Sequence, residues 1–140
     1  MTYCDVTALR GLIGETRLIE LTDDSRSGAM DTAVVDAAIV ASSAEIDGYC
    51  SGRYGRRLSV PPVPGMIVDL CATLTVYRLY LRRERVPEEW ESAADRARAV
   101  LSDVARGTVN LDNSVRPEDS IRFTSRSPEE RRCRNPRGYR

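Results

Sequence analysis

Hydrophobic residues recur at alternating intervals of three and four along much of the chain, which is the spacing of one face of an α-helix. The longest such pattern predicts a helix from about residue 31 to 54, with Asp31 as its N-cap. At 1.5 Å per residue this helix is on the order of 36 Å long. Its buried face is expected to contain Val35, Ile39, Ser42, Ile46 and Tyr49.

A second stretch, from Met66 to Leu81, is apolar on nearly all sides, as expected for a helix at the centre of a domain. Prolines at positions 61, 62 and 64 cannot lie in a helix interior and predict an extended connection before it. Three arginines, at 82, 83 and 85, are expected to place cations at its negative C-terminal end. A further helix, carrying Trp90, Leu101 and Val104, is predicted to end at Gly107.

One or two short helices, interrupted near Gly14, are predicted before residue 23. The predicted fold is therefore mainly α, a bundle of four to five helices that occupies residues 1–107. Residues 108–140 contain few large apolar side chains, and they are expected to form an extended, Arg-rich tail. Only the stretch 120–125 alternates as a strand does, with Ile121 and Phe123 on one side, and it is a candidate to add a strand to a partner.

Composition restricts the chemistry of the 140-residue chain. Its 21 basic residues are all Arg and are balanced by 21 acidic residues, and His is absent. Without His or Lys, the chain lacks the base of the common Ser and Cys nucleophiles, the imidazole metal ligands, and a Schiff-base amine. Zero net charge argues against nucleic-acid binding by the whole surface. The sequence therefore favours a protein without enzymatic activity.

The cysteines at positions 4, 50, 71 and 133 form no CxxC pair, so neither a metal site nor another cofactor is expected. The N-terminus lacks the pattern of a signal peptide, and free thiols in a reducing compartment are expected. Because no uncharged apolar run approaches about 18 residues, a membrane span is not predicted.

Polar residues inside helical patterns are expected to have structural roles. Asp23 and Asp24 fit turn formation and helix capping better than a metal site. Asp69 stands alone in the apolar helix, and Arg53 is its candidate partner in a buried polar pair. Removing the Asp69 carboxylate is therefore expected to cost a few kcal/mol of stability.

The tail carries the candidate binding residues. Its last ten residues contain five Arg and no acidic residue. A strand, then prolines, then arginines and a terminal aromatic side chain form an order that suits attachment to another protein. The candidate contact residues are Ile121, Phe123, Arg131, Arg132, Arg134, Arg137 and Tyr139.

Several short motifs keep an order and spacing that resemble one family over about residues 1 to 111. They are Tyr3-Cys4, the run 18–24, Ile46-Asp47-Gly48-Tyr49, Arg53-Tyr54, Pro61-Pro62, Asp69, Val76-Tyr77-Arg78-Leu79, Ala105-Arg106-Gly107 and Leu111. In these motifs the chain resembles the head-tail connector family of Mu-like phages and prophages.

The resemblance implies a structural protein of the virion neck, present in the host cytoplasm during assembly. It implies a ring, expected to have twelve copies, under the portal protein, with double-stranded DNA passing through its centre without sequence-specific contact. The next neck or tail protein is expected to dock on the free side. Neighbouring copies need heterologous contacts, for which the long helix and exposed faces of the first and last helices are candidates. The family brings no catalytic residues.

Two other classes of function are compatible with the composition. A small Arg-rich DNA-binding regulator is expected to bind duplex DNA with steep salt dependence, but no helix-turn-helix pattern presents Arg or Asn on a recognition face. An enzyme that uses only acids and Arg is the weakest alternative.

Overall fold

The computed structural model describes residues 2–55, 58 and 62–111. Five helices follow one another: α1 (Val6–Ile13), α2 (Glu15–Thr22), α3 (Thr32–Tyr54), α4 (Gly65–Arg82) and α5 (Glu88–Arg106). The fold is mainly α, and no strand occurs in the described ranges. The predicted four-to-five-helix bundle is confirmed, including its break at Gly14 and the Asp31 cap.

Local sequence sets the helix ends. The Asp5 carboxylate accepts a hydrogen bond from Ala8 N at 2.9 Å, and the Asp31 carboxylate accepts one from Ala33 N at 3.0 Å. Each satisfies a backbone donor that an N-terminal first turn leaves without a helical partner. Gly14, with a φ of 79°, separates α1 from α2 in a backbone conformation that few other residues adopt.

Helix α4 lies at the centre of the bundle and contacts each of the other four helices. Its residues Ile67, Cys71, Leu74 and Val76 are completely buried. The prediction from its all-round apolar pattern is therefore confirmed. Contacts between helix ends show that α3 and α5 run in one direction and α4 in the other.

The buried face of α3 differs in one position from the predicted face. Val35, Ile39, Ser42 and Ile46 are buried as expected, but Tyr49 is 37% exposed. Cys50, which is 1% exposed, takes the core position instead. A helix of 3.6 residues per turn allows either a three- or a four-residue step after Ile46, and the packing uses the four-residue step.

A polar cluster joins the three long helices. The Glu45 carboxylate of α3 accepts hydrogen bonds from Arg78 of α4 at 2.7 Å and from Arg98 of α5 at 2.8 Å. The Arg98 guanidinium also lies over the ring of Tyr77, 5.2 Å from its centroid. Burial by itself raises the pKa of Glu45, but the hydrogen bonds from Arg98 and Arg78 outweigh this effect and lower it below its usual value.

Substitution of Glu45 by Gln tests the contribution of this cluster. Gln retains the side-chain shape but removes the charge between two guanidinium groups, so we expect the free energy of unfolding at pH 7 to fall by about 2 kcal/mol. Because the folded pKa is depressed, the carboxylate stabilises the fold above its unfolded pKa of about 4.3, and this contribution is lost as pH falls through the folded pKa. Urea unfolding at neutral pH and at about pH 3 measures both effects.

The matched control is Glu89→Gln, which removes the same charge from an exposed position at the start of α5. We expect this variant to differ from the wild type by less than about 0.5 kcal/mol. Equal stabilities of Glu45→Gln and the wild type at pH 7 would show that the cluster does not stabilise the bundle.

Candidate partner-binding surfaces

The last described residues, 110 and 111, lie beside the end of α3. Tyr54 Oη accepts a hydrogen bond from Leu111 N at 3.3 Å, and Leu111 is only 2% exposed. Arg53 Nη2 donates to Asn110 Oδ1 at 2.6 Å, while its guanidinium lies 5.6 Å from the centroid of the Tyr54 ring. These contacts hold residues 110 and 111 against the domain. We call this region the tail exit, defined by Arg53, Tyr54, Gly107, Asn110 and Leu111.

Gly107 permits the close approach of the two chain segments at the tail exit. Its φ of 87° is left-handed, and its N–H caps α5 by bonding to Val104 O at 3.1 Å. A Cβ atom built on Gly107 would lie 1.7 Å from Arg53 Nη1. Glycine is therefore favoured here both by the backbone conformation and by the position of the guanidinium.

Two sequence expectations change at this end of the bundle. The packed domain extends past residue 107, because Leu111 belongs to the core. Asp69 is exposed, and the described part of the chain contains no ion pair between it and Arg53. The expected buried polar pair was wrong because Asp69 lies on the narrow strip of α4 that faces solvent, beside exposed Met66.

At the opposite end of the bundle, Arg82, the last residue of α4, and Arg83, its C-cap, hold the C-terminus of α2. Arg82 Nη1 and Arg83 Nε each donate to Leu21 O at 3.2 Å, and Arg83 Nη2 donates to Asp23 O at 3.1 Å. Both guanidinium groups also pair with the Asp24 carboxylate. The arginines thus satisfy carbonyls that the end of α2 leaves without helical partners. The sequence predicted them only as cations at the C-terminal end of their own helix.

The acidic residues Asp23 and Asp24, which follow α2, have different partners. Asp23 accepts hydrogen bonds from Ser27 N at 3.0 Å and Gly28 N at 2.7 Å, and these bonds lower its pKa. Asp24 instead pairs with Arg82 and Arg83 at the end of α4. The turn-forming interpretation of Asp23 agrees with these contacts, and the paired run Asp23-Asp24 opposite Arg82-Arg83 was the sequence signal for the second contact.

Helix α3 presents a long exposed face of small side chains. Val40 is 58% exposed at its centre. The face is bordered by exposed Asp36 and Asp47, and Asp47 also accepts a hydrogen bond from the Tyr3 hydroxyl. We call this exposed surface of small side chains the α3 face, and it consists of Ala33, Ala37, Val40, Ala44 and Gly48. Such small residues allow another helix to approach at short interaxial distance.

The predicted tail contacts lie outside the described residues. This applies to the strand at 120–125 with Ile121 and Phe123, and to Arg131, Arg132, Arg134, Arg137 and Tyr139. The structure therefore brings none of them into a described site.

The described ranges contain no group of three or more His, Cys, Asp and Glu side chains arranged to hold a metal ion. None of the helices α1–α5 is sufficiently long and apolar to span a bilayer.

The sequence profile of the family described as Bacteriophage Mu, Gp36 matches residues 3–123. No curated protein matches the sequence. The matched segment includes all five helices and the tail exit.

The tail exit is tested by Gly107→Ala in two backgrounds. A methyl group at a left-handed position and the displacement of Arg53 are expected to lower the free energy of unfolding by about 1–2 kcal/mol. In an Arg53→Ala background only the backbone cost remains, so the loss should be smaller. A double-mutant cycle by urea denaturation measures this difference. Strictly additive losses would contradict the proposed contact between Arg53 and position 107.

The exposure of Asp69 gives a second expectation. Asp69→Ala removes a solvated carboxylate and should change the free energy of unfolding by less than about 0.5 kcal/mol. Thr73 Oγ1 donates to the backbone carbonyl of residue 69 and keeps this bond in the variant. A loss of several kcal/mol in the same denaturation assay would show that the Asp69 carboxylate does stabilise the fold.

Proposed function

This chain belongs to the family of bacteriophage Mu Gp36, and we propose that it is the head-tail connector of a tailed phage. The family match identifies a phage structural or morphogenesis protein, and it is the observation that carries the proposal. The proposed connector forms a ring under the portal in the virion neck and is assembled in the host cytoplasm. Double-stranded DNA passes through the ring, and the next neck or tail protein binds its free side. Catalysis has no part in this function.

One of the two surfaces through which each copy contacts its neighbours is assigned in this proposal to the α3 face. A closed ring needs two different surfaces on each copy, one for each neighbour. The α3 face offers exposed apolar area around Val40 with short side chains on both sides, and α1 adds Leu12, which is 46% exposed. Most large apolar residues are already used in the core of each copy. The contacts between copies are therefore modest, and the isolated chain should associate weakly.

Attachment to the portal is assigned to the tail. Because Leu111 and Asn110 are held beside α3, every copy in a ring would release its tail from an equivalent position. The proposed portal contacts are Ile121, Phe123, Arg131, Arg132, Arg134, Arg137 and Tyr139. Charge-assisted bonds from Arg to acidic portal groups are expected to be individually modest. Twelve copies acting on one portal ring would multiply them through avidity.

The direct test uses portal rings from the same phage genome and three forms of the chain. The full chain is expected to add a ring-shaped layer to the portal in electron micrographs. A chain ending at Leu111 should retain its helical circular dichroism but add no layer, since it lacks the arginine cluster. Val40→Glu should keep the tail contact but give incomplete layers, because a charge enters the proposed contact between copies.

Thr16→Glu is the matched control, because it adds the same charge at an exposed position of α2. It should form the same layer as the wild type. A complete layer formed by the chain ending at Leu111 would overturn the assignment of the tail. If the full chain adds no layer to the portal but binds duplex DNA with steep salt dependence, the connector proposal is wrong and a DNA-binding regulator is favoured.

A further inference from the structure

Two cysteines that are distant in the sequence meet inside the bundle. Cys4, which precedes α1, and Cys71, in the middle of α4, are 67 positions apart, yet the Cys4 thiol donates to Cys71 Sγ at 3.1 Å. Cys4 is 7% exposed and Cys71 is completely buried. A disulfide bond has an S–S length of about 2.05 Å, so the two sulfur atoms need to approach by only about 1 Å.

The surroundings of the pair favour charge on one sulfur. Cys71 Sγ lies 3.6 Å from Ser43 Oγ, and this hydroxyl oxygen accepts the Tyr3 N–H at 3.2 Å. The Ser43 hydroxyl proton is therefore free to point at Cys71. The hydrogen bond from Cys4 and that from Ser43 lower the pKa of Cys71, whereas the bond to Cys71 and burial raise the pKa of Cys4.

Access to the pair depends on the segment that contains Cys4. This segment lies outside the helices, immediately before the short helix α1, and local opening of such segments costs less than global unfolding. Opening would uncover both thiols, and closing would return them to contact. Cys50 is also buried, but no other sulfur lies within hydrogen-bond distance of it among the described residues.

We propose that Cys4 and Cys71 form an oxidation site at which a peroxide converts the two thiols into a disulfide that joins the N-terminal segment to the centre of α4. This assignment is independent of the proposed connector function. In reducing surroundings the two cysteines remain thiols, and they form the disulfide only when peroxide is present.

The reaction needs hydrogen peroxide as the oxidant and proceeds in two steps. The Cys71 thiolate attacks one peroxide oxygen, the O–O bond breaks, and the departing hydroxide takes up a proton to become water. Cys4 sulfur then attacks the sulfur of the resulting sulfenic acid, and the hydroxyl group leaves with the Cys4 proton as a second water. Two thiols are thereby oxidised to one disulfide, and one peroxide is reduced to two waters.

Peptide mapping of the full chain tests the site directly. Trypsin cleavage after arginine places Cys4 in the peptide 1–10 and Cys71 in the peptide 58–78. After treatment with hydrogen peroxide and digestion without reductant, mass spectrometry should find these two peptides linked, and dithiothreitol should separate them. The link should also raise the melting temperature by an amount on the order of 10 °C, because it closes a long loop.

Cys4→Ser and Cys71→Ser should each lose the peroxide-dependent rise, and the matched control Cys50→Ser should retain it. Melting in dithiothreitol gives the baseline of each variant, and mapping of the unsubstituted chain does not depend on how the variants fold. Oxidation that instead links either cysteine to Cys50 or Cys133, joins two chains, or leaves Cys4 and Cys71 unlinked would overturn the proposal.

Discussion

Burial of α4 is the constraint on which the rest of the structure depends. An amphipathic helix can lie at the surface, but a helix that is apolar on nearly every side must be covered by its neighbours. Helices α1, α2, α3 and α5 all pack against α4. Helices α1, α2 and α5 cover α4 with their apolar faces, and their mostly polar outer faces remain in contact with water.

Polar contacts fix how the covering helices are placed, since apolar packing alone is weakly directional. Near the middle of α3, the Glu45 carboxylate connects this helix to α4 and α5 through the guanidinium groups of Arg78 and Arg98. Arg82 and Arg83 hold the end of α2, and Arg53 with Tyr54 holds the segment after α5. The same residue type therefore fixes both ends and the middle of the bundle. Arg is suited to this work because its planar group donates several hydrogen bonds at once.

Periodicity in the sequence was sufficient to predict the three long helices of the described residues, the break near Gly14 and the central position of α4, and it left open whether one or two short helices come first. It was not sufficient to predict contacts that depend on how helices are rotated relative to one another. Asp69 was expected to be buried because α4 is so apolar, but a strip at its N-terminal end remains uncovered. The meeting of Cys4 with Cys71 likewise depends on the path of the N-terminal segment, which no local pattern specifies. The family resemblance, by contrast, was carried by motif order and did not require the fold.

Hydrogen exchange of the full chain, followed by mass spectrometry, tests the central position of α4 most directly. Because the side chains of residues 71–80 of α4 are all buried or half-buried, peptides from this stretch should exchange slowest and only through global unfolding, while α1 and α2 exchange sooner through local opening. Exchange of residues 71–80 as rapid as that of α1 would contradict the account, since it would show that the bundle is not organised around this helix.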